Sequence, residues 1–166
     1  MSEKALEAIK GAILMEVRGE AFYRSVVEKS ESPAIREVFQ TMAEEELGHR
    51  RMLEKHYVSL KRDGVLAGPP PGDTAAGVEP EILGAKLTGE ISAAGFEAAA
   101  ISAAMGLEQE AVRVYGERAE QAEDPLEREL FIWLADWEKT HLTFLASMDK
   151  ALMEDIWFDN GFWPEI

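Results

Sequence analysis

The 166-residue sequence contains no cysteine. This absence excludes disulfides, zinc–thiolate sites, iron–sulfur clusters and thiol nucleophiles from this chain. Basic residues are also few, with 17 Lys and Arg against 32 Asp and Glu and a net charge of −15. Nucleic acids and anionic membranes bind to basic surfaces, so neither is an expected partner. The acidity suits attraction of cations, although solubility alone explains most surface carboxylates.

Long uncharged apolar runs are missing as well. The most apolar stretch, residues 91–107, is rich in alanine and carries Glu97, and a transmembrane helix needs about 20 apolar residues. The N-terminal sequence MSEKALEAIK has neither the apolar core of a signal peptide nor the arginines of a transit peptide. A soluble, cytoplasmic protein is therefore the expectation.

Helical periodicity dominates the rest of the chain. Apolar spacing predicts four helices, over residues 3–29, 33–60, 94–121 and 125–153. Ser32-Pro33 and Asp124-Pro125 mark the starts of the second and fourth helices. Proline and glycine concentrate in residues 63–80, which are predicted to be a connector. A short helix is predicted over residues 81–90.

The four helices form two similar halves. When residues 16–53 are aligned with residues 108–145, 12 of 38 positions are identical without a gap. Average residue usage gives roughly two or three identities by chance. The chain is therefore predicted to be all-α, with two tandem helix hairpins closing an antiparallel four-helix bundle through a long crossover connection. The bundle is assigned to residues 1–154, and the aromatic residues 155–166 are predicted to be a tail that docks on the bundle or covers a subunit interface.

The repeat contains the pattern Glu-x-x-His twice. Glu46 and His49 form the first pair, and Glu138 and His141 form the second pair 92 residues later. Residues three apart share a helix face. Glu45 also shares a face with His49, but its repeat position holds a tryptophan, so the repeat favours Glu46 as the functional residue.

Each half also has a glutamate one helix earlier, followed seven residues later by a tyrosine. These residues are Glu16 with Tyr23 and Glu108 with Tyr115. Placing the halves face to face gathers four carboxylates and two imidazoles inside the bundle. Buried carboxylates need compensation, and two divalent cations balance four negative charges. Oxygen-rich ligation with one nitrogen per ion suits iron or manganese, and the same ligand pattern occurs in di-iron carboxylate bundles.

The motifs ILMEVRGEAFY, EEELGHRRML, GLEQEAVRVY and DWEKTHLTFL resemble the four helix motifs of rubrerythrin-like proteins in the ferritin-like superfamily. The resemblance covers about residues 3–153. It implies that Glu46 and Glu138 bridge two metal ions, and that Tyr23 and Tyr115 orient the carboxylates. The implied ligand set is Glu16, Glu46, His49, Glu108, Glu138 and His141.

The resemblance also implies a function. It points to two iron ions, with manganese or zinc as alternatives, and to peroxidase or ferroxidase chemistry with H₂O₂ or O₂ in oxidative stress or iron metabolism. No catalytic residue is expected beyond the metal site. Full-length rubrerythrins carry a cysteine-rich rubredoxin domain, so this chain needs an external electron donor protein. An additional family glutamate is replaced by Ala111, with Gly19 at its repeat position.

Other interpretations remain open from the sequence. The protein could store or buffer metal without turnover, or it could be a scaffold bundle with a structural metal pair. A homodimer is expected, with or without exchanged helix pairs. His56 is predicted to be a solvated or core-edge histidine, and Glu97 a carboxylate near a helix start rather than part of a cation path.

Overall fold

The computed structural model describes residues 3–71 and 95–158, without the side chains of the last four. The helices are α1 (Glu3–Lys29), α2 (Pro33–Asp63), α3 (Phe96–Gln121) and α4 (Pro125–Phe158). They form the predicted ferritin-like four-helix bundle, in which α1 packs along α2 and α3 along α4, and α1 also contacts α3. Within the described residues, no helix is long and apolar enough to cross a membrane.

The helix ends match the local sequence signals. Ser32 accepts a hydrogen bond from the backbone N–H of Ile35 at the start of α2. Its repeat counterpart Asp124 accepts bonds from the N–H groups of Leu126 and Glu127 at the start of α4. Gly64 ends α2 with a positive φ of 73° and donates its N–H to the carbonyl of Leu60, a conformation that glycine adopts without strain.

Some predicted features lie outside the described residues. These are residues 72–80 of the connector, the short helix over residues 81–90 and the end of the aromatic tail. Helix α4 continues through Phe158, four residues into the predicted tail. Docking of the tail stays a prediction.

Two apolar clusters fill the bundle on either side of a polar layer. One cluster surrounds Tyr23, Phe39 and Leu145, and the other surrounds Tyr115, Phe131 and Leu53. These side chains are 0–1% exposed. Because both clusters exclude water, the polar groups between them depend on one another or on a bound ligand.

Candidate metal centre

The polar layer contains all six residues that the sequence analysis singled out as ligands. Helices α1 and α3 each contribute one glutamate, and α2 and α4 each contribute a Glu-x-x-His pair from one face. Every side chain is deeply buried: Glu16 is 1% exposed, Glu46 4%, His49 4%, Glu108 2%, Glu138 1% and His141 5%.

The six side chains form two overlapping groups. One group consists of Glu16, Glu46, His49 and Glu138, and the other of Glu46, Glu108, Glu138 and His141. In each group the potential ligand atoms all lie within 4.8 Å of one another. Glu46 and Glu138 belong to both groups, which is the arrangement that two bridging carboxylates require.

Both imidazoles direct Nδ1 toward the carboxylates. His49 Nδ1 lies 3.2 Å from Glu16 Oε2 and 3.5 Å from Glu138 Oε1. His141 Nδ1 lies 3.3 Å from Glu138 Oε2 and 3.5 Å from oxygens of Glu46 and Glu108. However, both Glu138 oxygens and His141 Nδ1 are buried without a hydrogen-bond partner among the described residues. Buried polar atoms are normally paired, so these atoms fit a site completed by cations.

The concentration of carboxylates changes their proton affinity. Burial, followed by repulsion from Glu138, raises the pKa of Glu46 and raises that of Glu108 to about 8. Burial opposes ionisation of His49, but the nearby carboxylates of Glu138 and Glu16 raise its pKa to about 9. Burial also opposes ionisation of Glu138, but the nearby imidazoles of His141 and His49 outweigh it and lower the pKa of this carboxyl group. Protons on Glu108 and His49 would therefore compete with a cation for these groups.

The two tyrosines contact carboxylates of the opposite hairpin. Tyr23 on α1 donates its hydroxyl hydrogen bond to Glu108 on α3, and Tyr115 on α3 donates to Glu16 on α1. Both tyrosines are fully buried. Each hydroxyl constrains one carboxylate oxygen and leaves the other oxygen of that glutamate for a second partner.

Sequence reasoning missed the role of position 45. Glu45 is not in either group, but its Oε2 lies 2.8 Å from Nε2 of His141 on α4. It therefore contacts the side of the imidazole that faces away from the cluster. The repeat shows that the two halves differ at this position, since Trp137 stands where the first half has Glu45. The repeat does not show which helix Glu45 faces.

A cavity of about 100 Å³ adjoins the carboxylates between α1 and α3. Its lining extends from exposed Arg18 and Glu110 to buried Glu46 and Glu138. Gly19 and Ala111, the two positions without the additional family glutamate, also line it. A Cβ at Gly19 would lie 3.3 Å from Cδ of Glu46. The small residues thus make room for both the cavity and the Glu46 side chain.

Two other polar residues, Glu97 and His56, accept hydrogen bonds from backbone N–H groups. Glu97 in the first turn of α3 accepts hydrogen bonds from Ser30 Oγ at 2.9 Å and from the Glu31 N–H at 3.1 Å. It thereby ties α3 to the α1–α2 turn. His56 is only 3% exposed, so it is buried rather than solvated. Its Nδ1 accepts a hydrogen bond from the N–H of Ala67 at 3.3 Å.

Comparison with known proteins agrees with this architecture. A family model described as Rubrerythrin matches residues 7–149. A hypothetical protein from Pyrococcus furiosus is similar in structure, with a TM-score of 0.63, 24% identity and 90% of each chain covered. At this identity the similarity concerns the fold alone. Among proteins with curated descriptions, none matches the chain.

Proposed function

Because the chain belongs to the rubrerythrin family, we propose that it is a di-iron redox protein that reacts with H₂O₂ or O₂. The observation that carries this proposal is the pair of overlapping ligand groups sharing Glu46 and Glu138. Carboxylate-rich sites with one imidazole per ion suit iron or manganese. Additional support comes from both oxygens of Glu138 and Nδ1 of His141, which are buried without a hydrogen-bond partner among the described residues.

The proposed ligand roles follow the two groups. Glu16 and His49 would hold one ion, Glu108 and His141 would hold the other, and Glu46 and Glu138 would contribute to both positions. Tyr23 and Tyr115 orient the two non-bridging carboxylates by donating hydrogen bonds from the opposite hairpin.

The surroundings suit a small oxidant. The apolar clusters on both sides exclude bulk water, and the cavity between α1 and α3 has room for a few atoms beside the carboxylates. When bound and reduced, the metal pair would supply electrons to the oxidant. Conversion of H₂O₂ to two waters takes up two protons as well as two electrons.

Repeated turnover then depends on a partner that donates electrons. The chain has no cysteine for a rubredoxin site, so we propose that an external protein returns the electrons. A role in oxidative stress or iron metabolism, a homodimer and a cytoplasmic location accompany the proposal as predictions.

The test begins with anaerobic metal loading. Metal-free protein is titrated with Fe(II), and the ferrous protein is mixed rapidly with O₂ and with H₂O₂ in parallel. We expect two ions per chain and faster oxidation by one of the oxidants, which identifies a ferroxidase or a peroxidase type. Two bound ions without turnover in the presence of a reductant would instead support metal storage or a structural metal pair. A protein that binds no iron would refute the proposal.

A further inference from the structure

The two half-sites differ at the residue before each bridging glutamate. This residue is Glu45 in the first half and Trp137 in the second. Both halves otherwise supply the same ligand types. The difference therefore bears on whether the two metal positions, which the proposed function assumes, are equivalent.

Glu45 acts on the histidine of the other hairpin. Its Oε2 lies 2.8 Å from His141 Nε2, and its side chain is 20% exposed. A carboxylate in this place accepts the Nε2–H and leaves the unprotonated Nδ1 directed at the cluster. Such a partner selects the tautomer, holds the ring in orientation and makes the imidazole a stronger donor to a metal.

Instead of a counterpart of Glu45, His49 has two tryptophan rings beside its imidazole. The Trp137 ring contacts the His49 ring edge-on, with 5.2 Å between the ring centroids and 88° between the ring planes. The Trp133 ring does the same, with 5.4 Å between centroids and 79° between planes. Within the described part of the chain, nothing forms a hydrogen bond with His49 Nε2. The indoles restrain the ring by contact, but they add no negative charge and accept no proton from Nε2.

We infer that Glu45 makes the two metal positions inequivalent, so that the position of Glu108 and His141 binds a divalent cation more tightly than that of Glu16 and His49. Glu45 is a positioning residue, since it acts through His141. Loss of such a partner lowers metal affinity about 10- to 100-fold. The inference rests on the proposed metal site.

The test isolates each position before removing Glu45. Glu16→Gln leaves the His141 position intact, and Glu108→Gln leaves the His49 position intact. Each variant is titrated with Mn(II) under anaerobic conditions, and bound Mn(II) is followed by electron paramagnetic resonance. We expect the Glu16→Gln protein to bind its single ion more tightly than the Glu108→Gln protein.

Adding Glu45→Ala provides the decisive comparison. It is expected to weaken Mn(II) binding about 10- to 100-fold in the Glu16→Gln protein and to leave the Glu108→Gln protein unchanged. Glu45→Gln keeps a hydrogen-bond acceptor and loses the charge, so it is expected to restore part of the affinity. Glu44→Ala is the matched control, because Glu44 is exposed on the same helix and, within the part of the chain that the structure describes, accepts a hydrogen bond only from Gln40.

The outcomes separate this inference from the proposed function. Equal affinities in the two single-position proteins, or equal weakening of both by Glu45→Ala, would overturn the inference and leave a di-metal site standing. Absence of Mn(II) and Fe(II) binding by the unaltered protein would overturn the proposed function, and the inference with it.

Discussion

Tyr23 on α1 donates its hydroxyl hydrogen bond to Glu108 on α3, 85 residues further along the chain. Tyr115 on α3 donates the corresponding hydrogen bond to Glu16 on α1. The two hairpins are therefore joined across the candidate metal centre by hydrogen bonds to its carboxylates as well as by apolar packing. Stability and the proposed metal binding thus depend on the same side chains.

Removing either hydroxyl should weaken the bundle. In Tyr23→Phe, a buried oxygen of Glu108 loses its donor, so we expect the free energy of unfolding to fall by about 1–3 kcal/mol. Urea denaturation of the metal-free protein measures this change. Tyr57→Phe is the control, since Tyr57 is partly exposed and its hydroxyl has no hydrogen bond within the described residues. Equal stability of the two variants would contradict the prediction.

The bridging glutamates should control both ions at once. The double variant Glu46→Ala/Glu138→Ala is expected to bind no metal pair, whereas Glu16→Ala should lose one ion. Metal analysis after anaerobic loading and desalting gives the stoichiometry. Two ions retained per chain in the double variant would show that the ligand assignment is wrong.

Gly19→Ala should separate stability from metal binding. Alanine is favoured over glycine inside a helix by about 1 kcal/mol, but its Cβ would press on Glu46 at 3.3 Å. We expect an unchanged or higher midpoint of thermal unfolding together with weaker Fe(II) binding. In the control Gly11→Ala, nothing lies within 4 Å of the new Cβ, so only stability should rise. An equal effect of both variants on Fe(II) affinity would refute the role of Gly19.

Metal binding should release protons. The pKa of Glu108 is raised to about 8 by burial and the charge of Glu138, and that of His49 to about 9 by its carboxylate partners. Both groups therefore carry protons at neutral pH, and a cation must displace them. Affinity should rise with pH up to about 8–9. Calorimetric titration in two buffers with different ionisation enthalpies measures the release, and a heat independent of the buffer would contradict it.

His56 should make the protein less stable in mild acid. Burial lowers its pKa below the ordinary value of 6.5, so the unfolded chain binds a proton that the folded chain does not. The free energy of unfolding should therefore fall as pH drops below 6.5 toward the lower folded pKa. We expect His56→Gln, which retains an acceptor for the Ala67 N–H, to lose less stability between pH 7 and pH 5. Parallel pH profiles for the two proteins would count against this.

Most predictions about the fold and the candidate site came from the 92-residue repeat. It identified both hairpins, and the shared helix-start signals at Ser32 and Asp124 placed two helix starts correctly. The repeat also favoured Glu46 over Glu45 as the expected ligand. In the structure Glu46 lies in both candidate groups and Glu45 lies outside them, and ligation itself stays a prediction. Burial of His56 was less predictable, because its contact with Ala67 depends on the path of the chain after α2.

Helical periodicity alone sets which residues share a face within each helix, so this relation can be read from the sequence. Together with the repeat, it predicts the fold and the six polar residues of the centre. Which helix each face meets is visible only in the three-dimensional structure. There the tyrosines donate hydrogen bonds to carboxylates of the opposite hairpin. Glu45 on α2 contacts His141 on α4, and the Trp137 ring packs against His49. These pairings depend on the distance and rotation between neighbouring helices. The spacing of residues along one helix does not specify either quantity.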